Sequence, residues 1–268
     1  MESIKKVYVH LWKKNAIRRL IKNWLKARLE WLCPFGISEI LRKKHLEHYY
    51  RKHPRESEIR NYFLNLKYDE QDAETIEVRD YLKENVFSVF PYSFALKGNS
   101  IPVEVFLDEI YEMHFVLYEG KRMYFPKGWT IAACINYFRG LCIEQDAASP
   151  HRYETKKYIP KPGDVIADIG AAEGIWALKY AQDAKKIFLF ESEPNWIQAL
   201  ERTFAPYKEK TTIINKYISD KVGNRKTTLD AFFKDMEVNF IKADIEGAEV
   251  NALKGGKSIL QRMGGGGG

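Results

Sequence analysis

The chain has 268 residues, 45% of them hydrophobic and 29% charged, which is enough apolar side chain for a folded core and excludes global disorder. Its formal net charge of +7 is unevenly placed: residues 1–55 hold 15 Lys/Arg against four Asp/Glu, whereas the other 213 hold 28 against 32. Three scattered cysteines (Cys33, Cys134, Cys142) give neither a disulfide framework nor a zinc site, and there is no apolar run of ~18–20 residues and no signal-peptide pattern, so the expectation is a cytoplasmic, non-spanning protein.

Residues 4–32 place Ile4, Val7, Leu11, Ile17, Leu20, Ile21, Trp24 and Leu25 near helical spacing with nine Lys/Arg between them, which predicts a basic amphipathic helix. Such a helix, with Trp12, Trp24 and Trp31, suits an anionic bilayer surface and would place the protein peripherally on the inner face of a membrane. The plain alternative is a helix packed on its own domain with a solvated basic face. Cys33-Pro34-Phe35-Gly36 is a stop signal. Helices are predicted over 38–53, 56–66 and 73–85, completing a basic helical region over 1–85. An accessory segment, 86–159, is expected to hold a hairpin, with strands at 114–118 and 122–126 around Glu119-Gly120-Lys121, and then a helix over 129–143.

From residue 160 the rhythm becomes strand, glycine turn, helix, strand, the mark of a parallel α/β domain over 160–263. Strands are predicted at 164–169, 186–191, 211–218 and 238–243. Helices are predicted from the glycine turn to about 184, from Pro194 onward, and over 248–262. Gly264–Gly268 is a low-complexity glycine tail.

The chemistry-bearing motif is Asp168-Ile169-Gly170-Ala171-Ala172-Glu173-Gly174, directly after an apolar strand. Gly170 permits a tight turn and close approach of a ligand to bare backbone, and Gly174 lets the helix begin against the strand. A dinucleotide fingerprint needs glycines at relative positions 0, 2 and 5. Here they stand at 0 and 4, with an acidic residue two before the first, the pattern of an S-adenosyl-L-methionine site. Glu191, 23 residues after Asp168 at the end of the second strand, is suited to accept ribose hydroxyls.

These features resemble the FkbM-type, class I S-adenosylmethionine-dependent methyltransferases, many of which O-methylate sugars. The matching residues are Gly163–Gly170, Phe190-Glu191-Ser192-Glu193-Pro194, Ile218–Gly223, Thr228-Leu229-Asp230, Phe240–Glu249 and Leu253-Lys254-Gly255, with Glu144–Tyr153 upstream. The likeness covers about 120 residues well and the first 85 hardly at all. It implies a Rossmann-like parallel sheet that is incomplete at the C-terminus. The family continues into further strands of a seven-stranded sheet, whereas this sequence stops at Met263 and five glycines, and its link from Asp220 to Leu229 is short. A truncated member is therefore expected, with its fourth strand as an open edge and its activity open.

The resemblance implies that Asp168, Gly170, Ala171 and Gly174 shape the methionine side of the cofactor pocket. Glu191 would hold the ribose, and Ser219 or Asp220 would face adenine. Asp244 and Glu246 would close the reacting end of the fourth strand, on one side of it by strand alternation. The alternative for Glu246 and Glu249 is capping of the final helix. The sulfonium is an activated donor, so the protein mainly aligns a hydroxyl acceptor, with Asp244, Glu246 and His151 as candidate bases. Three clustered carboxylates could bind Mg²⁺ through oxygen ligands, but no metal is assigned, because the same residues suffice without one.

The implied function is O-methylation of a sugar, glycan or other small hydroxylated molecule. The rivals are a nucleic-acid methyltransferase and a non-catalytic membrane-surface or partner-binding module with a vestigial cofactor fold. The acidic run Ala243–Glu249 would repel a phosphate backbone, so a nucleic-acid partner is not favoured.

Overall fold

The computed structural model describes residues 36–67 and 72–264. The helix expected over 4–32 and the last four glycines lie outside the described residues. The chain divides into two compact units, one ending at Ser93 and one beginning at Phe94.

The first unit is helical. Helix α1 (Gly36–Lys52) is followed by α2 (Pro54–Asn65) and α3 (Ala73–Glu84). Pro54 stands at the start of α2, where its missing N–H is not needed. Asp72 caps α3 by accepting from the Thr75 N–H at 2.8 Å. Leu46, Tyr50, Val78 and Leu82 are buried. The end of α3 is tied down by the Tyr50 hydroxyl, which donates to the Asn85 carbonyl, and by Arg60 Nε, which donates to that of Leu82.

The second unit opens with an antiparallel sheet of β1 (Phe106–Asp108), β2 (Met113–Tyr118) and β3 (Lys121–Tyr124). Glu119 (φ 49°) and Gly120 (φ 77°) are both left-handed, giving a two-residue hairpin turn of the type whose twist matches the strands. The turn pairs Tyr118 with Lys121, so the second strand begins one residue earlier than the expected 122 and ends at Tyr124. Helix α4 (Ile131–Glu144) starts at Thr130, whose hydroxyl accepts from the Ala133 N–H.

The parallel part runs β4 (Val165–Ile169), α5 (Ile175–Tyr180), β5 (Lys186–Phe190), α6 (Pro194–Thr203) and β6 (Thr211–Ile214). A small pair, β7 (Tyr217–Ile218) and β8 (Lys226–Thr227), precedes α7 (Leu229–Phe232) and β9 (Phe240–Ala243). Helices α8 (Glu249–Lys254) and α9 (Lys257–Gly264) follow. The sheet order is β6-β5-β4-β9, all parallel; among the described residues β9 pairs with β4 alone. The chain thus moves outward from β4 and then returns to its other side. Such a reversal opens a crevice beyond the carboxyl ends of the two central strands.

Strand alternation divides the core in two. Ile166, Ile187 and Leu189 face Trp176, Leu178 and Leu200, together with Val116, Met123 and Phe125 of the hairpin region and Phe138 of α4. Val165, Ala167, Ile169, Phe188 and Phe190 face Phe233, Val238, Ala252 and Ile259. The hairpin and α4 therefore share a core with the parallel sheet.

In the parallel part, four further expectations differ. The helix after the glycine turn stops at Tyr180 rather than 184, because the Asp183 carbonyl and Lys185 N–H are taken by Gly163 and Asp164 at the start of β4. The third strand, expected over 211–218, breaks after Ile214. Ile214 pairs with Phe190 at the end of β5, and the chain beyond it turns to join β8. The fourth strand starts at Phe240 rather than Val238, because the Asn239 side chain accepts from the Val165 N–H in place of a ladder bond. The final helix breaks at Gly255-Gly256, where a side chain at Gly255 would run into the Ser219 carbonyl.

Candidate functional site

The turn after β4 alternates handedness: Gly170 (φ 73°), Ala172 (φ 47°) and Gly174 (φ 74°) are left-handed. The Gly170 and Ala171 N–H groups both donate to the Phe190 carbonyl, anchoring the turn on the end of β5. A Cβ at Gly170 would overlap the Asp244 carbonyl oxygen, so glycine is what lets this turn rest on the end of β9. A Cβ at Gly174 would meet Leu200 and Phe204, which assigns that glycine to packing against the segment around α6.

Two cavities flank Gly170. One, of about 200 Å³, is lined by Glu144, Tyr153, Asp168, Glu173, Lys242, Asp244 and Glu246, with Ala171 and Tyr137 also at its wall. The other, of about 300 Å³, has an apolar floor of Ile169, Phe190, Ile218 and Ile245, with Glu191, Ser192, Ser219, Lys216 and Lys226 around it. A larger depression lies at the opposite, amino-terminal ends of β4 and β9, around Asp164, Val238 and Phe240. Of these, the pair beside Gly170 occupies the carboxyl-end crevice where ligands of open α/β sheets bind.

The acidic cavity contains a buried ion pair that sequence reasoning missed. Asp168 is 1% exposed, and its carboxylate lies 2.9 Å from Lys242 Nζ. The same ammonium donates to the Gly170 carbonyl at 2.9 Å and stands 4.8 Å from the centre of the Tyr153 ring. Burial lifts the Asp168 carboxyl above its ordinary range while Lys242 opposes the shift. Burial also disfavours the Lys242 charge, but Asp168 and the neighbouring carboxylates outweigh it and hold the ammonium on. The signal was available: Lys242 is a lone charge inside the apolar run Phe240-Ile241-Lys242-Ala243.

Two tyrosines from outside the glycine turn complete this wall. The Tyr153 hydroxyl lies 2.5 Å from Asp244 Oδ2 and 3.0 Å from Glu144 Oε1. The Tyr137 hydroxyl donates to Glu173 Oε2 at 2.7 Å. Burial is the main cause that raises both phenols far above the usual range, so each remains a proton donor. Glu173 is itself buried, and desolvation pushes its carboxyl up to about 7.

The other expected residues fall in different places. Glu191 lines the apolar-floored cavity, and its carboxylate accepts from the N–H groups of Ala172 (2.8 Å), Ser192 (2.7 Å) and Glu193 (2.8 Å), bracing the glycine turn. Ser219 lines the same cavity, whereas Asp220 is exposed and outside it. Asp244 and Glu246 line the acidic cavity together, but not by strand alternation: β9 ends at Ala243 and Glu246 (φ 49°) sits in a turn. Glu249 accepts from the Ile245 and Gly247 N–H groups, so it is the residue that caps this turn. His151 is exposed and does not line the cavity; Tyr153, two residues later, does.

Residues 209–264 match the family model of the methyltransferase FkbM domain. Among solved structures, the methyltransferase FkbM from Methylobacillus flagellatus KT is similar at 16% identity over 48% of this chain and 41% of its own, with a TM-score of 0.36. The precorrin 8W decarboxylase of Methanobacterium thermoautotrophicum is similar at 18% identity over 40% of this chain and 50% of its own, with a TM-score of 0.27. The chain thus spans half or less of the length of these two structures. No curated protein matches it.

Proposed function

We propose that this chain, whose residues 209–264 match the model of the methyltransferase FkbM domain, is an S-adenosyl-L-methionine-dependent O-methyltransferase acting on a hydroxyl of a sugar or glycan. The observation that carries the reading is the pair of cavities meeting at Gly170, one acidic and one apolar-floored with a carboxylate, hydroxyls and two lysines around it. A ligand with a cationic sulfonium and ammonium at one end and a nucleoside at the other matches both. Asp168, Ala171 and the Gly170 backbone would hold the methionine end, Glu191 the ribose and Ser219 the base. When bound, the cofactor supplies a methyl group already activated by its sulfonium.

The remaining work belongs to the acceptor side. Tyr153 occupies one oxygen of Asp244, which leaves the other to take the proton of an acceptor hydroxyl as its oxygen is methylated. Glu246, beside it in the same cavity, would bind a further hydroxyl and fix the acceptor's orientation. The excess of carboxylates favours a neutral or cationic acceptor over a phosphate-bearing strand. The sugar itself rests on the family resemblance. The basic stretch 4–32, outside the described residues, would bring the enzyme to an anionic membrane surface.

Isothermal titration with S-adenosylhomocysteine tests the cofactor reading. The chain should bind it, and Asp168→Ala and Glu191→Ala should weaken binding by at least tenfold. A folded sample that gives no heat overturns the reading.

A further inference from the structure

The acidic cavity has a charge imbalance that its own residues leave open. Asp168, Glu173, Asp244 and Glu246 line it with Glu144 at the α4 side, and Lys242 is its one cation. Lys242 is already engaged with Asp168 and the Gly170 carbonyl. Among the described residues, no Lys or Arg forms an ion pair with Glu173, although its side chain is buried and faces this cavity. Its polar partner is the neutral Tyr137 hydroxyl of α4. Facing it are Asp168 from β4, Lys242 from β9, and Asp244 and Glu246 beyond β9; Glu191, beyond β5, lines the other cavity and accepts from backbone N–H groups.

A buried carboxylate whose partners are a phenol and a lysine already paired with another carboxylate is pushed toward its neutral form, and a further positive charge in the cavity pushes it back. We infer that Glu173 reads the charge of the ligand in this cavity, being ionised when the sulfonium cofactor fills it and protonated when the neutral thioether product does. The inference rests on the proposed cofactor and adds a residue that distinguishes cofactor from product. Methyl transfer breaks one S–C bond, forms one O–C bond and passes the acceptor's hydroxyl proton to Asp244, from which it returns to solvent, the source of the proton that Glu173 takes up. The positive charge on sulfur is then gone, and Glu173 takes up a proton in its place. The product is left facing a neutral Glu173, so the attraction that favoured the cofactor does not retain it.

The position of the titration supports this role, since desolvation puts the Glu173 carboxyl at about 7 and Tyr137 works against that rise. Near neutral pH the empty cavity therefore holds a mixture of both forms, and cation binding must expel the proton from the protonated fraction.

The experiment is calorimetric titration of the full chain with S-adenosylmethionine, and separately with S-adenosylhomocysteine, in phosphate and in Tris, whose ionisation heats differ. With S-adenosylmethionine at pH 7, about half a proton should be released per site, rising toward one at pH 6 and vanishing above pH 8.5. S-adenosylhomocysteine should release less. Glu173→Gln should abolish the release and flatten the pH dependence of the cofactor-over-product preference. Tyr137→Phe should move the release to higher pH, and it serves as the readout if the Glu173 variant does not fold. Binding of S-adenosylmethionine without proton release, or release that survives in Glu173→Gln, overturns this inference and leaves the cofactor reading standing. Absence of any binding by folded protein overturns both.

Discussion

Lys242 decides more of the site than any residue of the glycine motif. It neutralises Asp168, holds the Gly170 carbonyl and lies against Tyr153, so three segments depend on one ammonium. Removing one partner of a buried ion pair leaves an uncompensated charge, typically at a cost of about 3–5 kcal/mol. Lys242→Met should lower stability by that amount in urea unfolding, and Lys242→Met with Asp168→Asn should recover most of it. A single variant as stable as the parent would mean the pair is not closed in solution. Asp168, Gly170 and Glu191 were legible because their positions follow from one strand and the turn after it. Tyr153 was not, since it meets Asp244 across 91 residues of chain. Glu173 was in plain view inside the motif, but only burial beneath Tyr137 makes its carboxyl unusual.

Among elements, the stretch Thr228-Leu229-Asp230 shows how a family signature can be structural. Thr228 caps α7 through the Ala231 N–H, Leu229 is buried, and the Asp230 carboxylate accepts from the N–H groups of Ser258 (3.1 Å) and Ile259 (2.9 Å) in the first turn of α9. These backbone bonds keep Asp230 below the usual carboxylate range even though desolvation opposes them. Asp230→Ala should therefore cost about 1–2 kcal/mol, seen as a lower Tm with S-adenosylhomocysteine affinity unchanged. Loss of affinity without loss of stability would instead place Asp230 in ligand binding. The order strand, turn, helix, strand was readable because apolar runs and glycines mark it. The breaks within the third strand and the final helix were not. Asn215-Lys216 and Gly255-Gly256 stand at the two breaks, but what fixes each is a partner distant in sequence: β8 for the strand, Ser219 for the helix.

For the whole molecule, the net charge of +7 conceals a division of labour. The acidic cavity lies in the part of the chain whose charge is mildly negative, and the excess of basic residues belongs to the first 55. No helix among the described residues is long and apolar enough to cross a membrane. The proposed membrane contact is surface attachment through 4–32, argued from its basic and apolar sequence pattern. Flotation with phosphatidylserine vesicles should carry the intact chain upward at low salt and release it at high salt. A chain lacking residues 1–32 should stay at the bottom. Equal flotation of both would refute attachment by that stretch.

The contact between Gly170 and the Asp244 carbonyl has a consequence for how such a site can diversify. It is made by main chain on both sides, so the spacing between the turn proposed to hold the donor and the turn proposed to carry the base does not depend on any rotamer. Side chains around the two cavities can therefore be exchanged, changing which molecules enter, while the distance between the two turns stays constant. Gly170 works as a gauge, and the lining is the part of the tool that can be swapped.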